Sequence, residues 1–136
     1  MTDALRKSVN DEFYAGSCDD IRTFESIRKV FERDAYLMDT HTGVAWTVLE
    51  DYRKDTGDMT PAVVLSTASP FKFCDSVLRA LGEETDAPGT VLLERLTEKS
   101  GVPAPAPLAA LKTKTSRFDG CVEKQSMRDL VDEFIK

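Results

Sequence analysis

The sequence predicts an α/β fragment, predominantly helical, with one or two strands that belong to a parallel sheet whose other members lie elsewhere. Three observations lead there. Apolar residues recur at helical spacing in about seven segments. The run Ala62-Val63-Val64-Leu65 is apolar without alternation and rich in β-branched residues, the pattern of a strand buried on both faces. One strand cannot make a sheet, and 136 residues fit one ordinary domain or a piece of one.

The elements follow in order. Leu5, Val9 and Phe13 mark a short amphipathic helix from about Thr2 to Glu12, closed by Ala15-Gly16. Ser17-Cys18-Asp19-Asp20 offers capping oxygens to a second helix, with Ile21, Phe24, Ile27 and Phe31 on one face. Tyr36-Leu37-Met38 is a brief extended segment, the weaker of the two strands. Asp39-Thr40 caps a third helix with Val44, Ala45, Val48, Leu49 and Tyr52 on its apolar side, ended by Gly57. After the strand at 62–65, Ser69 is an N-cap and Pro70 the first residue of a helix carrying Phe71, Cys74, Val77, Leu78 and Leu81. Val91, Leu92, Leu93 and Leu96 support a helix stopped by Gly101, and Val102 to Pro107 reads as a stiff polyproline connector. Leu108 to Leu111 forms a turn or two of helix. The terminal helix carries Met127, Leu130, Val131 and Phe134, with Ser126 and Asp129 as a cap pair.

Composition narrows the function. The apolar share of 41% and charged share of 31% belong to a soluble globular chain. A net charge of −6 with a pI near 4.8 opposes binding to phosphate backbones, so nucleic acid is not an expected partner. No apolar run approaches the length of a membrane span, and Met1-Thr2-Asp3 does not open a signal peptide, which makes the cytoplasm the expected compartment. Cys18, Cys74 and Cys121 are odd in number and widely spaced, and His41 is the single histidine. Neither a disulfide framework, a metal site nor a histidine triad is expected, and the cysteines read as small buried apolar residues.

Two segments are chemically unusual. Asp39-Thr40-His41-Thr42-Gly43 puts a carboxylate, two hydroxyls and the imidazole at the start of a helix, where N–H groups favour anions. Leu65-Ser66-Thr67-Ala68-Ser69-Pro70-Phe71-Lys72-Phe73 places three hydroxyls just past the carboxyl end of the strand, where open α/β sheets bind ligands. Spacing alone leaves both readings open: Asp39, Thr40 and Ser69 can equally be helix caps, each contributing about 1 kcal/mol. Lys72 and Arg79 read as solvated surface residues, and Trp46 and Tyr52 as core.

The order Phe13-Tyr14-Ala15-Gly16, then Tyr36-Leu37-Met38-Asp39-Thr40-His41-Thr42-Gly43-Val44-Ala45, then Val63 to Phe73 resembles the C-terminal part of threonine synthases. That family shows a glycine-rich approach, a D-P-H-T-A-V-A segment and an L-S-T-A-H-P-A-K-F segment, in that order. Thr40 stands where proline is common, Gly43 where alanine is, and Ser69 where the second motif has histidine, so Ser69 is assigned no role beyond a cap. The resemblance covers residues 10 to 80, with weaker agreement in the terminal helix.

The resemblance implies pyridoxal 5'-phosphate (PLP) chemistry that converts O-phospho-L-homoserine and water to L-threonine and phosphate, on the large domain of a tryptophan synthase beta-like, fold-type II enzyme. The two strands would belong to that domain's parallel sheet. Residues 1–101 would be the C-terminal α/β portion carrying both motifs, and 102–136 the Pro-rich connector and terminal helix of the same domain. A neutral hydroxyl meets the cofactor's pyridine nitrogen in this fold type; Thr67 matches that position, with Ser66 next to it. Asp39 and His41 would brace the Thr67 loop. The lysine that forms the Schiff base with the cofactor and the loop that cradles its phosphate lie earlier in the family, and no counterpart is recognisable in this chain. The expectation is therefore a fragment, inactive alone, whose partners are the N-terminal part of a threonine synthase and, through exposed apolar surface, a second copy of itself. Two alternatives stand beside it: a non-catalytic helical interaction module, and a fragment of another fold-type II PLP lyase.

Overall fold

Short carboxylates open the two longest helices. Asp19 accepts the Arg22 N–H at 2.9 Å to start α2 (Asp20–Asp34), and Asp39 accepts the His41 N–H at 2.9 Å to start α3 (Thr40–Thr56). Thr2 starts α1 (Asp3–Glu12) in the same way, at 3.3 Å from the Leu5 N–H. Gly57, with φ at 73°, closes α3 in the left-handed conformation that costs a glycine nothing. Ala35 does the same job for α2 at φ 53° with a β-carbon in the way.

Further along, a 3-10 turn at Pro70–Phe73 leads into α4 (Cys74–Ala80), followed by α5 (Gly89–Ser100), α6 (Ala106–Ala109), further 3-10 turns at Ala110–Thr113 and Lys124–Ser126, and α7 (Met127–Ile135). These elements come from a computed structural model that describes residues 2–117 and 120–135. The expected loop at Lys112–Gly120 begins in the 3-10 turn, and its residues 118 and 119 lie outside the described ones.

The core lies where α2, α4 and α5 meet. Ile27 and Val30 from α2, Phe71 from the turn, Cys74, Val77, Leu78 and Ala80 around α4, and Leu92 and Leu96 from α5 are all buried, together with Leu37 and Met38 from the link into α3. The α3 face turned to α2 is different in kind. It buries Thr42, Gly43 and Thr47, and a β-carbon on Gly43 would sit 3.1 Å from atoms of Thr23 and Ile27. Small residues bring the two helices close, and the Ser26 and Thr47 hydroxyls then pair at 2.7 Å inside the contact. Arg22 adds a two-pronged ion pair to Asp51 across the same helices, at 2.7 and 2.9 Å. Arg28 reaches from α2 to the Ala80 carbonyl at 2.7 Å, satisfying a backbone acceptor at the end of α4.

The structure corrects several expectations. No β ladder occurs among the described residues: Ala62–Leu65 and Tyr36–Met38 both run without regular structure. The reason is physical, since an isolated segment has no neighbour to accept its backbone hydrogen bonds. Val63 and Leu65 are 89% and 72% exposed, so the segment that reads as doubly buried is open on the outside. The polyproline connector is shorter than Val102–Pro107, because Pro107 sits in the first turn of α6, where a missing N–H is harmless. Ser126 belongs to the 3-10 turn ahead of α7 and does not pair with Asp129 as a cap. Of the cysteines, Cys74 is buried as expected, Cys18 is half-buried and Cys121 exposed. No helix among the described residues is long and apolar enough to cross a membrane.

Candidate functional site

The first turn of α3 organises the site. Asp39 is fully buried, yet its carboxylate is surrounded by donors: the His41 amide at 2.9 Å, the Thr42 amide at 3.4 Å, the His41 ring Nδ1 at 3.1 Å, and the Thr42 hydroxyl in a short contact. Burial pushes this carboxyl up, but the bonds from the Thr42 hydroxyl and the two amides outweigh it and hold Asp39 below the usual carboxylate range. The helix cap is thus an ionised group whose lone pairs are spoken for.

Thr42 carries the connection onward. Its oxygen lies 3.4 Å from the hydroxyl of Ser66, twenty-four residues later, so the two unusual segments of the sequence meet. Ser69 caps the following 3-10 turn through the Phe71 N–H at 3.3 Å, which sets the other end of the Ser66–Ser69 loop. Between these anchors Ser66 and Thr67 are exposed.

Thr67 and His41 line one open groove of about 690 Å³, whose floor is α3 and whose rim includes Val63, Leu65 and Tyr52. His41 is exposed toward it, with its ring centroid 5.0 Å from that of Phe73. The far wall is built from tyrosines. Tyr14 donates to Asp55 at 2.7 Å, Tyr52 donates to Asp58 at 2.7 Å, and the two rings meet edge to face at 5.2 Å. Asp58 also accepts from the Thr60 hydroxyl and amide, and these bonds with that from Tyr52 hold it at about 2.

The structure therefore brings Asp39, His41, Ser66 and Thr67 to one place, with Asp39 linked to Ser66 and not to Thr67. Thr42, which sequence reading took only as part of a motif, is the residue that lies between Asp39 and Ser66. Its signal was present: a hydroxyl three residues after a capping aspartate has the spacing of a side chain that reaches back to the cap. No group of three or more metal-ligating side chains occurs among the described residues.

A family model described as threonine synthase, C-terminal, matches residues 42–135, from Thr42 through both hydroxyls of the loop to the end of α7. The chain belongs to the threonine synthase C-terminal family. It is 36% identical over 76 residues to threonine synthase of Methylobacillus glycogenes, a stretch covering 56% of this chain and 15% of that protein. It is 29% identical over 102 residues to threonine synthase-like 1 of Mus musculus, covering 74% of this chain and 13% of that one. The matches thus span well under a fifth of these relatives' length. Within the threonine synthase C-terminal family, this chain is a predominantly helical member whose matched region includes Ser66 and Thr67, with Asp39 and His41 just ahead of it.

Proposed function

We propose that this chain supplies the pyridine-nitrogen side of a PLP site in a threonine synthase, with Thr67 and secondarily Ser66 facing the cofactor ring. The observation that carries the reading is the exposed Thr67 lining the groove, on a loop whose neighbouring Ser66 lies within reach of Thr42 and, through it, of buried Asp39. The donor set fits one edge of the cofactor. A hydroxyl suits a neutral heteroaromatic nitrogen, and the apolar rim of Val63 and Leu65 suits a ring. The groove offers no cluster of cations for a phosphate, since Glu12 lines it and His41 is its single basic side chain. The rest of the cofactor's binding site, including the lysine, would come from the N-terminal part of the enzyme.

The bound cofactor would supply the electron sink for elimination of phosphate from O-phospho-L-homoserine and addition of water. This chain's own work is to bind and to orient. Thr67 would hold the ring nitrogen, Asp39 and Thr42 would hold the loop, and His41, its ring against Phe73, lines the groove. The segment around Ala62–Leu65 would become a strand of the parallel sheet of a tryptophan synthase beta-like large domain once neighbours pair with it. Alone, the chain is inactive and self-associates through Val63, Leu65 and the exposed apolar side chains of α7.

Grafting residues 1–136 in place of the C-terminal region of the Methylobacillus glycogenes enzyme tests the reading. The graft should bind PLP and form threonine, while the isolated chain does neither. Thr67→Val in the graft should shift the cofactor's absorption and weaken its binding about tenfold, the scale of one hydrogen bond to a buried polar atom. A graft that turns over with an unchanged spectrum and rate after Thr67→Val removes Thr67 from the site. Light scattering that shows a clean monomer at all concentrations removes the self-association.

A further inference from the structure

His41 follows Asp39 by two residues and reaches one of its oxygens twice, through the backbone N–H at 2.9 Å and through the ring Nδ1 at 3.1 Å. The Thr42 N–H points at the same oxygen, at 3.4 Å. Amide N–H groups only donate, so Oδ1 is an acceptor, and a neutral imidazole meets an acceptor with the nitrogen that carries its hydrogen. The hydrogen of the neutral His41 ring therefore sits on Nδ1. Nε2, on the side of the ring turned away from the carboxylate, keeps its lone pair, and among the described residues nothing donates to it. The Asp39 side chain is fully buried and that of His41 is 60% exposed, so the anchor of the pair lies inside and its open nitrogen outside.

His41 stands between two cavities. One is the groove of about 690 Å³, and the other, of about 320 Å³, has Arg79 and Asp20 in its lining. The polar side chains of the groove lean one way. Tyr14 and Tyr52 commit their hydroxyl hydrogens to Asp55 and Asp58, at 2.7 Å each, and have only oxygen lone pairs left to offer. Glu12 brings a carboxylate, and Thr67 can serve in either sense. We propose that the groove takes a primary ammonium group, with His41 Nε2 accepting one of its hydrogens and Asp39 acting as the positioning residue that holds the ring in the accepting form. An ammonium has hydrogens to donate and no lone pair, whereas a carboxylate or phosphate would set lone pairs against lone pairs. Charge selects the groove over the smaller cavity, since Glu12 attracts a cation and Arg79 offsets Asp20. Where the proposed function holds, the amino group of O-phospho-L-homoserine is the ammonium received, and that identification alone rests on it.

Both halves are testable on the full chain without cofactor. His41 is the single histidine, so its ring nitrogens stand alone in a long-range proton–nitrogen-15 spectrum. At about pH 8.5, well above the ordinary imidazole value of about 6.5, the hydrogen should be found on Nδ1. Asp39→Asn, whose amide oxygen accepts in place of Oδ1, should keep that form. Asp39→Ser still caps the helix but withdraws the acceptor from the ring, and should yield a mixture of the two forms. Hydrogen on Nε2 in the parent, or a form unmoved in Asp39→Ser, overturns the pair. For the ligand, propylammonium should move the Nε2 resonance and those of the Tyr14 and Tyr52 side chains along one saturating curve. Propionate should move none of them, and tetramethylammonium, a cation without an N–H, should leave Nε2 unmoved. His41→Phe keeps a ring beside Phe73 and should weaken propylammonium about tenfold, the scale of a hydrogen bond to a charged group. The ammonium site is overturned by equal Nε2 shifts with either control, by unchanged affinity in His41→Phe, or by no saturating shift at all. Shifts gathered at Ser76 and Arg79, in the smaller cavity, overturn it as well. Any of these failures leaves the grafting experiment standing, and a graft that binds no cofactor leaves the titration standing.

Discussion

Asp39→Ala isolates the group on which the site's geometry depends. The substitution removes the cap of α3, worth about 1 kcal/mol in comparable helices. It also strands the Thr42 hydroxyl and the first amides of the helix in a buried place, which adds about 1–3 kcal/mol. The expected loss is about 2–4 kcal/mol, and at a urea slope of about 2 kcal/mol per molar the unfolding midpoint falls by about 1–2 M. Glu50→Ala, on the exposed side of the same helix, should change stability by less than about 0.5 kcal/mol. The pH dependence supplies an independent reading. Because the folded carboxyl lies below its unfolded value of about 3.9, its stabilisation is complete above that value and disappears as pH falls through the lower folded one. The difference between the parent and Asp39→Ala should therefore be largest at neutral pH and narrow as pH falls below about 4. A loss under about 1 kcal/mol, or a difference that persists unchanged into strong acid, refutes the view that an ionised, fully bonded Asp39 anchors the loop.

Leu78→Ala, at a fully buried position between α2 and α5, should cost about 2–5 kcal/mol in urea unfolding. Gly43→Val forces branched atoms against Ile27 and Thr23 and should lose about 1–3 kcal/mol, while the backbone-compatible Ala35→Gly relieves a left-handed alanine and should raise the thermal midpoint. Asp58 should titrate at about 2 by carbon-13 resonance, and Tyr52→Phe should move it upward by removing one of its hydrogen-bond donors.

The helices were readable because their signals are local. Asp19, Asp39 and Ser69 act as the caps their short side chains suggest, and Gly57 and Gly101 end helices at positive φ. What the described residues do not show is the part of the reading that needs a second segment to come true. Ala62–Leu65 has the composition of an inner strand, but a ladder is a property of pairs, and among the described residues nothing pairs with it. The site shows the same division. Its loop and its helix start could be picked out from Thr67, Ser66, Asp39 and His41, whereas the residue joining them could not be, because the Thr42 to Ser66 contact spans 24 positions. The expectation that Asp39 would hold the Thr67 loop directly differs from the structure for that reason: the carboxylate is sealed beneath Thr42 and acts through it.

The chain between α3 and the Pro70 turn is pinned like a string at its two ends. Asp58 ties one end to Tyr52, and Ser66 ties the other to Thr42, while Val63 and Leu65 stand outward between them. Freezing a residue from the unfolded ensemble costs about 1–2 kcal/mol of backbone entropy, and contacts at the two ends reduce the part of that cost still to be met when a companion arrives. A strand laid alongside would meet a segment of fixed span with Val63 and Leu65 facing outward, so its association should depend on how well its side chains match those two.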